Sequence, residues 1–212
     1  MRTNQEYKNA ALAALNDSWP QAVVATVIVL LLFSLSDSAE YVLGTTIVFT
    51  SSVIPLLALP VMVGYVNAFS NLYYQSDRAL LNNMSSITFN GYFRSLAAMF
   101  LVSLVVSLLT MLLIVPGVIA SMALYLTPYI LKDNPEMSIL DTLRLSRKMM
   151  HGHKMQLFCL QLSFVGWILL SILTLGIGIL WLLPYMTTTM AAFYQDVREQ
   201  YFMKEGQQES AL

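Results

Sequence analysis

The feature that most constrains this chain is the length of its charge-free runs. No Asp, Glu, Lys or Arg occurs from Pro20 to Ser36, Tyr41 to Ser76, Ser95 to Leu131, or Met155 to Gln195. An α-helix rises about 1.5 Å per residue and the hydrocarbon core of a bilayer is about 30 Å thick, so one crossing takes about 20 residues. The first run suits one crossing, and the other three are too long for one. Hydrophobic residues make up 57% of the chain and charged ones 11%, against about 45–50% and about 25% in a soluble domain. A soluble chain of this size buries only about 70% of its unfolded surface, which would leave much of this apolar material in water. Lipid is the better solvent.

The long runs must therefore fold back. Ser95 to Leu131 carries Pro116-Gly117 at its middle, a dipeptide expected to end one helix and turn the chain. Met155 to Gln195 carries Thr174-Leu175-Gly176-Ile177-Gly178, whose glycines permit a tight turn. Tyr41 to Ser76 is read as one crossing, about Val53 to Tyr74. A Thr- and Ser-rich approach precedes it, Tyr41 to Ser52, interfacial or re-entrant, with Pro55 and Pro60 kinking the entry. Basic residues collect on the cytoplasmic side of a membrane, and here all 11 fall in the segments that this count places inside: Arg2, Lys8, Arg78, Arg94, Lys132, Arg144, Arg147, Lys148, Lys154, Arg198 and Lys204. The segment Asp37 to Glu40 has only acids, and the two hairpin turns have no charge.

The expected fold is an all-α membrane protein, one integral domain over 1–212. Its bundle has about six transmembrane helices, at about 20–36, 53–74, 95–115, 117–131, 155–174 and 178–195, with both termini cytoplasmic. An amphipathic N-terminal helix built on Ala10 to Leu15 leads into the first span, Trp19 sits at the interface level, and an amphipathic connector helix lies within 132–154. A cleavable signal peptide ending near Ser36 or Ser38 is the alternative reading of the first run.

An ionisable residue held inside a membrane is a functional candidate by default, and these spans contain none. Arg94 and Lys154 stand at span edges, where long cations snorkel to the headgroups. Neutral polar residues are present: Asn67 and Asn71 one helical turn apart, Gln156, Gln161 and Ser163, and Thr187 to Thr189. They read as interhelical hydrogen bonds or, for Asn67, Asn71 and Gln161, as the lining of a polar pathway. His151-Gly152-His153 offers too few ligands for a structural metal, usually four, and follows Arg147 and Lys148 as a helix-ending turn would. No metal, cofactor, catalytic set or phosphate loop is implied. A net charge of −1 gives no footprint for nucleic acid. The one cysteine, Cys159, lies in an apolar run and reads as a small hydrophobe.

The segment Asn134 to Lys154 starts like a helix, with Pro135, then Ser138 as cap and Asp141 in the first turn. Leu140, Leu143 and Met150 are expected on one side and Arg144, Arg147, Lys148 and His151 on the other. Either this helix lies on the inner leaflet, with Arg144, Arg147, Lys148 and Lys154 on anionic lipid headgroups, or it is a connector that only sets topology.

An ordered set of residues also resembles the bacterial integral membrane protein family of unknown function numbered 975 (domain of unknown function 975). The set is Pro116-Gly117, Asp133-Asn134-Pro135, Ser146, Met150, Gly152-His153-Lys154, Phe164 to Trp167, Gly176-Ile177-Gly178, Pro184-Tyr185 and Phe193-Tyr194. The resemblance covers nearly the whole chain, departs from the family in Tyr41 to Ser52, and implies a bacterial inner-membrane protein with no assigned activity. A looser likeness to the membrane domain of some glycerophosphodiester phosphodiesterases implies lipid proximity. The functional expectation is a non-enzymatic accessory or lipid-associated scaffold, whose partners are the bilayer, its anionic headgroups, and a second copy or another membrane protein. The alternative is a channel or transporter for a neutral or amphiphilic solute.

Overall fold

The computed structural model describes residues 2–42, 48–84 and 91–209, and among these every regular element is helical. The helices are α1 (Asn4–Leu15), α2 (Trp19–Val42), α3 (Val48–Gln75), α4 (Tyr92–Leu112), α5 (Ile114–Ala123), α6 (Thr127–Asp133), α7 (Ile139–Met149), α8 (Lys154–Leu162), α9 (Val165–Leu173) and α10 (Ile179–Glu209). Among the described residues three segments are long and apolar enough to cross a membrane: Tyr92–Leu112, Ile114–Asp133 and Lys154–Leu173. A fourth results if α1 and Trp19–Leu32, bent by 99° at their junction, count as one span. Six spans were expected. Helix α10 is not among those that qualify, because Thr187 to Thr189, Gln195 and Asp196 lower its hydropathy. It packs instead against α1, α2, α3, α7 and α9, and a helix walled by protein needs no apolar surface all round.

The N-terminal helix has one buried face and one exposed face. Thr3 and Glu6 form a capping box, the Thr3 amide donating to Glu6 Oε2 at 2.6 Å and the Glu6 amide to Thr3 Oγ1 at 3.3 Å. Tyr7, Ala11 and Leu15, four residues apart and so on one face, are fully buried. Tyr7 meets Phe193 edge-on at 5.7 Å, and its hydroxyl donates to Asp196 Oδ2 at 2.5 Å. α1 is therefore docked on α10.

The Tyr41 to Ser52 approach divides between helices. Tyr41 and Val42 end α2 and 48–52 open α3, while 43–47 lie outside the described residues. In the first hairpin the chain turns at Leu113, extended at φ −158° and ψ 136°, rather than at Pro116-Gly117. Pro116 is the third residue of α5. A first-turn proline loses no helical hydrogen bond and its ring presets the helical φ, so it starts the second helix instead of ending the first. Gly117 serves close approach, since a Cβ there would lie 2.7 Å from Thr110 Cα and overlap its hydroxyl. The second hairpin turns where expected. The Gly176 amide bonds Ser171 O at 2.9 Å and the Leu175 amide bonds Ile172 O at 3.0 Å, a Schellman closure of α9. Leu175 and Gly176 are both left-handed, at φ 54° and 86°.

Two consequences can be measured. Gly117→Ala should lower the stability of the purified protein by about 1–3 kcal/mol through overpacking. Gly166→Ala, where a Cβ meets nothing within 4 Å, should not; equal melting of the two variants would remove the close-approach role. The second concerns Asp196. Burial pushes its carboxyl up, but hydrogen bonds from Tyr7 and the Arg2 amide outweigh this and hold it below the usual carboxylate value. A depressed carboxyl contributes stability that is present above the unfolded value near 3.8 and is lost as pH falls through the folded one. Melting temperature should therefore drop more steeply between about pH 5 and 3 in the wild type than in Asp196→Asn, and parallel slopes would count against the docking contact.

Candidate anionic lipid site

The connector is built from its ends. The Asp141 amide donates to Ser138 Oγ at 3.1 Å, so Ser138 caps α7 as expected. Hydrogen bonds from Ser138 and then Arg144 hold the Asp141 carboxyl below its ordinary value. Upstream, Asp133 accepts from Tyr194 at 2.8 Å and pairs with Arg198 at 3.2 Å. Arg94 donates to the carbonyls of Asn134, at 2.8 Å, and of Met137. Arg94 thus braces the turn before α7 rather than only anchoring a span.

The faces of α7 are not those the sequence suggested. Its buried residues are Thr142, Ser146 and Met149, followed by Met150, and Ser146 Oγ donates to the Ala123 carbonyl at 3.0 Å. Leu140, assigned to the apolar side, is 57% exposed, and Leu143 is half-buried. The reason is angular: at about 100° per residue Leu140 lies about 160° from Thr142, in the company of Arg144 and Arg147. The hydrogen bond to Ala123 selects the face.

After α7 the chain turns through Met150 to His153, with Gly152 at φ 87°. This turn brings Lys154, the first residue of α8, to the same cavity as Arg147. The cavity, of about 370 Å³, has walls of Val105 and Leu109 from α4, Pro116, Ile119, Ala120 and Ala123 from α5, and Leu124 beyond it. It is an apolar groove in the α4–α5 hairpin with two cations in its wall. Among the described residues neither cation forms an ion pair. Of the four basic residues singled out in the sequence, the structure brings only these two together. Arg144 is paired with Asp141 at 2.9 Å, and Lys148 is exposed on the outer face.

The neutral candidates do not converge. Asn67 is fully buried, and neither of its amide atoms finds a partner among the described residues. Asn71 is half-buried, and Gln161 lies beside the Tyr125 hydroxyl. None of the three lines the groove or the other cavities described here. Thr187 to Thr189 donate back to the carbonyls of Leu183, Pro184 and Tyr185. His151 is exposed, while burial and then Lys204 lower His153 below the usual imidazole value against the pull of Asp196. No group of three His, Cys, Asp or Glu among the described residues could hold a metal.

Two features escaped the sequence. Lys8 is buried, donates to the Ser163 carbonyl at 2.8 Å and sits 4.2 Å from the Phe164 ring centre, at the break between α8 and α9. Its signal was a lone cation on the Tyr7, Ala11, Leu15 face. All three tryptophans, Trp19, Trp167 and Trp181, line one apolar cavity of about 300 Å³ together with Leu12, Thr174 and Gly178. Trp19 lines it from the start of α2, beside Leu12 of α1.

No curated protein and no solved structure matches the chain. Residues 85–201, more than half of the sequence, match the family described as Protein of unknown function (DUF975). That stretch holds the connector, the groove and the contacts of Asp133, Tyr194 and Arg198, and the chain belongs to this family.

Proposed function

We propose that this chain is a non-enzymatic, lipid-associated accessory or scaffold protein of the bacterial inner membrane that crosses it six times with both termini inside. The observation that carries the scaffold reading is the use of the polar side chains. The threonines of α10 bond their own helix and Thr26 bonds Tyr65 at 2.8 Å. A pathway needs polar groups that face a cavity, and Asn67, whose amide atoms have no partner among the described residues, lines none of those described, nor do Asn71 and Gln161.

The topology has its own support. The Arg2 amide donates to Asp196 at 3.1 Å, the Arg2 guanidinium donates to Tyr73 at 2.8 Å, and Gln156 donates to the Arg2 carbonyl at 3.2 Å. These bonds gather the start of α1, the end of α3, the start of α8 and the exit of α10, four points that the basic residues assign to the cytoplasm. Tyr65 lies beside Thr187 and Tyr74 donates to the Ala191 carbonyl, so α3 and α10 run in the same sense, as two inward crossings must. At about 1.5 Å per residue α2, α3 and α10 are each long enough to cross.

Two experiments test the proposal. In a Cys159→Ala background, Ser38→Cys and Ile177→Cys should react with an impermeant thiol reagent in intact cells and Ser138→Cys should not; the reverse pattern sinks the topology. Proteoliposomes should take up glycerol or urea no faster than protein-free vesicles. Faster uptake that falls on Asn67→Leu or Asn71→Leu would favour the channel instead.

A further inference from the structure

The groove between α4 and α5 combines two properties seldom needed together by a packed bundle. Its walls are the aliphatic side chains of a hairpin whose outer surface is open, with Ile119 48% exposed. Its charged members, Arg147 and Lys154, have no acid within ion-pair distance among the described residues. Lys154 also stands at the first position of α8, where the helix dipole disfavours a cation. An anion beside it would remove that conflict. Arg147 supplies the planar fork that binds phosphate oxygens in pairs.

We infer that this groove is a binding site for one anionic phospholipid, its phosphate held by Arg147 and Lys154 and an acyl chain lying along α5 between Ala123 and Pro116. The seven residue steps from Pro116 to Ala123 give the slot a length of about 10 Å. Charge complementarity and an apolar wall select a diacyl anion over a soluble one, which would leave the groove empty. The connector makes the site. Ser146 pins α7 to the end of α5, and the Met150 to His153 turn, with Gly152 left-handed, carries Lys154 to the groove. Arg144, on the same helix face, is already paired with Asp141 and takes no part. This inference rests on the membrane reading above and adds a ligand and a place to it.

The test uses the full-length protein in phosphatidylcholine vesicles with a trace of chain-spin-labelled phosphatidylglycerol or phosphatidylcholine, and reads the motionally restricted fraction of each label. The vesicles are first washed with alkali and floated. Failure of the protein to float would overturn the membrane reading and the groove with it, whereas flotation without lipid preference overturns the groove alone. The wild type should restrict phosphatidylglycerol preferentially. Arg147→Gln and Lys154→Gln should each reduce that preference by about fivefold, and Arg144→Gln should leave it unchanged. An equal loss in Arg144→Gln would mean diffuse surface charge and overturn the site. Ala120→Phe, which fills the slot and keeps both cations, should abolish the preference while the protein still floats. Displacement of the label by millimolar inorganic phosphate would overturn the lipid in favour of a free anion.

Discussion

The structure depends on how backbone carbonyls are satisfied where its apolar helices break. In hydrocarbon an unpaired carbonyl has no water to turn to and costs several kcal/mol, so each interruption needs a side chain or a turn that accounts for it. At the end of α5 Ser146 reaches back to the Ala123 carbonyl, while Thr127 Oγ1 takes that of Leu124 at 2.6 Å. At the end of α8 Ser163 Oγ takes the Leu160 carbonyl at 2.6 Å and Lys8 takes that of Ser163. At the end of α9 a Schellman closure is joined by Thr174, which donates to Ser171 O and accepts from the Gly178 amide. The first two solutions draw on distant parts of the chain, and they therefore fix tertiary structure. α7 sits on α5 because a hydroxyl is needed there, and α1, docked on α10, reaches the α8–α9 break with Lys8 because an ammonium is.

This constraint explains why the basic residues behave unequally. Counted along the sequence, all 11 are equivalent markers of one membrane side. In the fold Lys8 caps a broken helix, Arg94 holds two carbonyls of the turn before α7, and Arg198 pairs with Asp133. A cation can mark topology and also make a specific bond, since the first depends only on its being inside and the second on the geometry it finds there.

What could be read from the sequence follows the same division. Span-scale apolar runs and the left-handed turn at Gly176 are local properties, and both were legible; so were the Ser138 cap and the assignment to the family. The turn at Pro116-Gly117 was misplaced by three residues, because a proline marks a helix start as readily as a stop and only the partner helix reveals that Gly117 is there for Thr110. The buried face of α7 was misread for a similar reason. Leucine outranks threonine and serine on any hydrophobic scale, yet Ser146 turns inward to the Ala123 carbonyl and takes Thr142, one turn earlier on the same face, with it, while Leu140 is left outside. The six-span count drew on charge placement; by composition α10 does not qualify, because it is polar where other helices cover it.

The groove carries this reasoning to the candidate site. Four cations in one segment look like a uniform basic patch, and periodicity cannot rank them. Local pairing can. Arg144 lies three residues after Asp141 and is paired within its own helix. Lys148 lines none of the cavities described. Arg147 and Lys154 are seven residues apart in sequence, too far for one helix turn, and share a cavity wall through the turn that holds a left-handed glycine. Bringing two like charges to one cavity costs free energy that neither a topological marker nor a solvated face requires. Their placement against the one slot in the α4–α5 hairpin into which both project is accounted for by an anion that offsets the repulsion and by an apolar tail that fills the slot behind it.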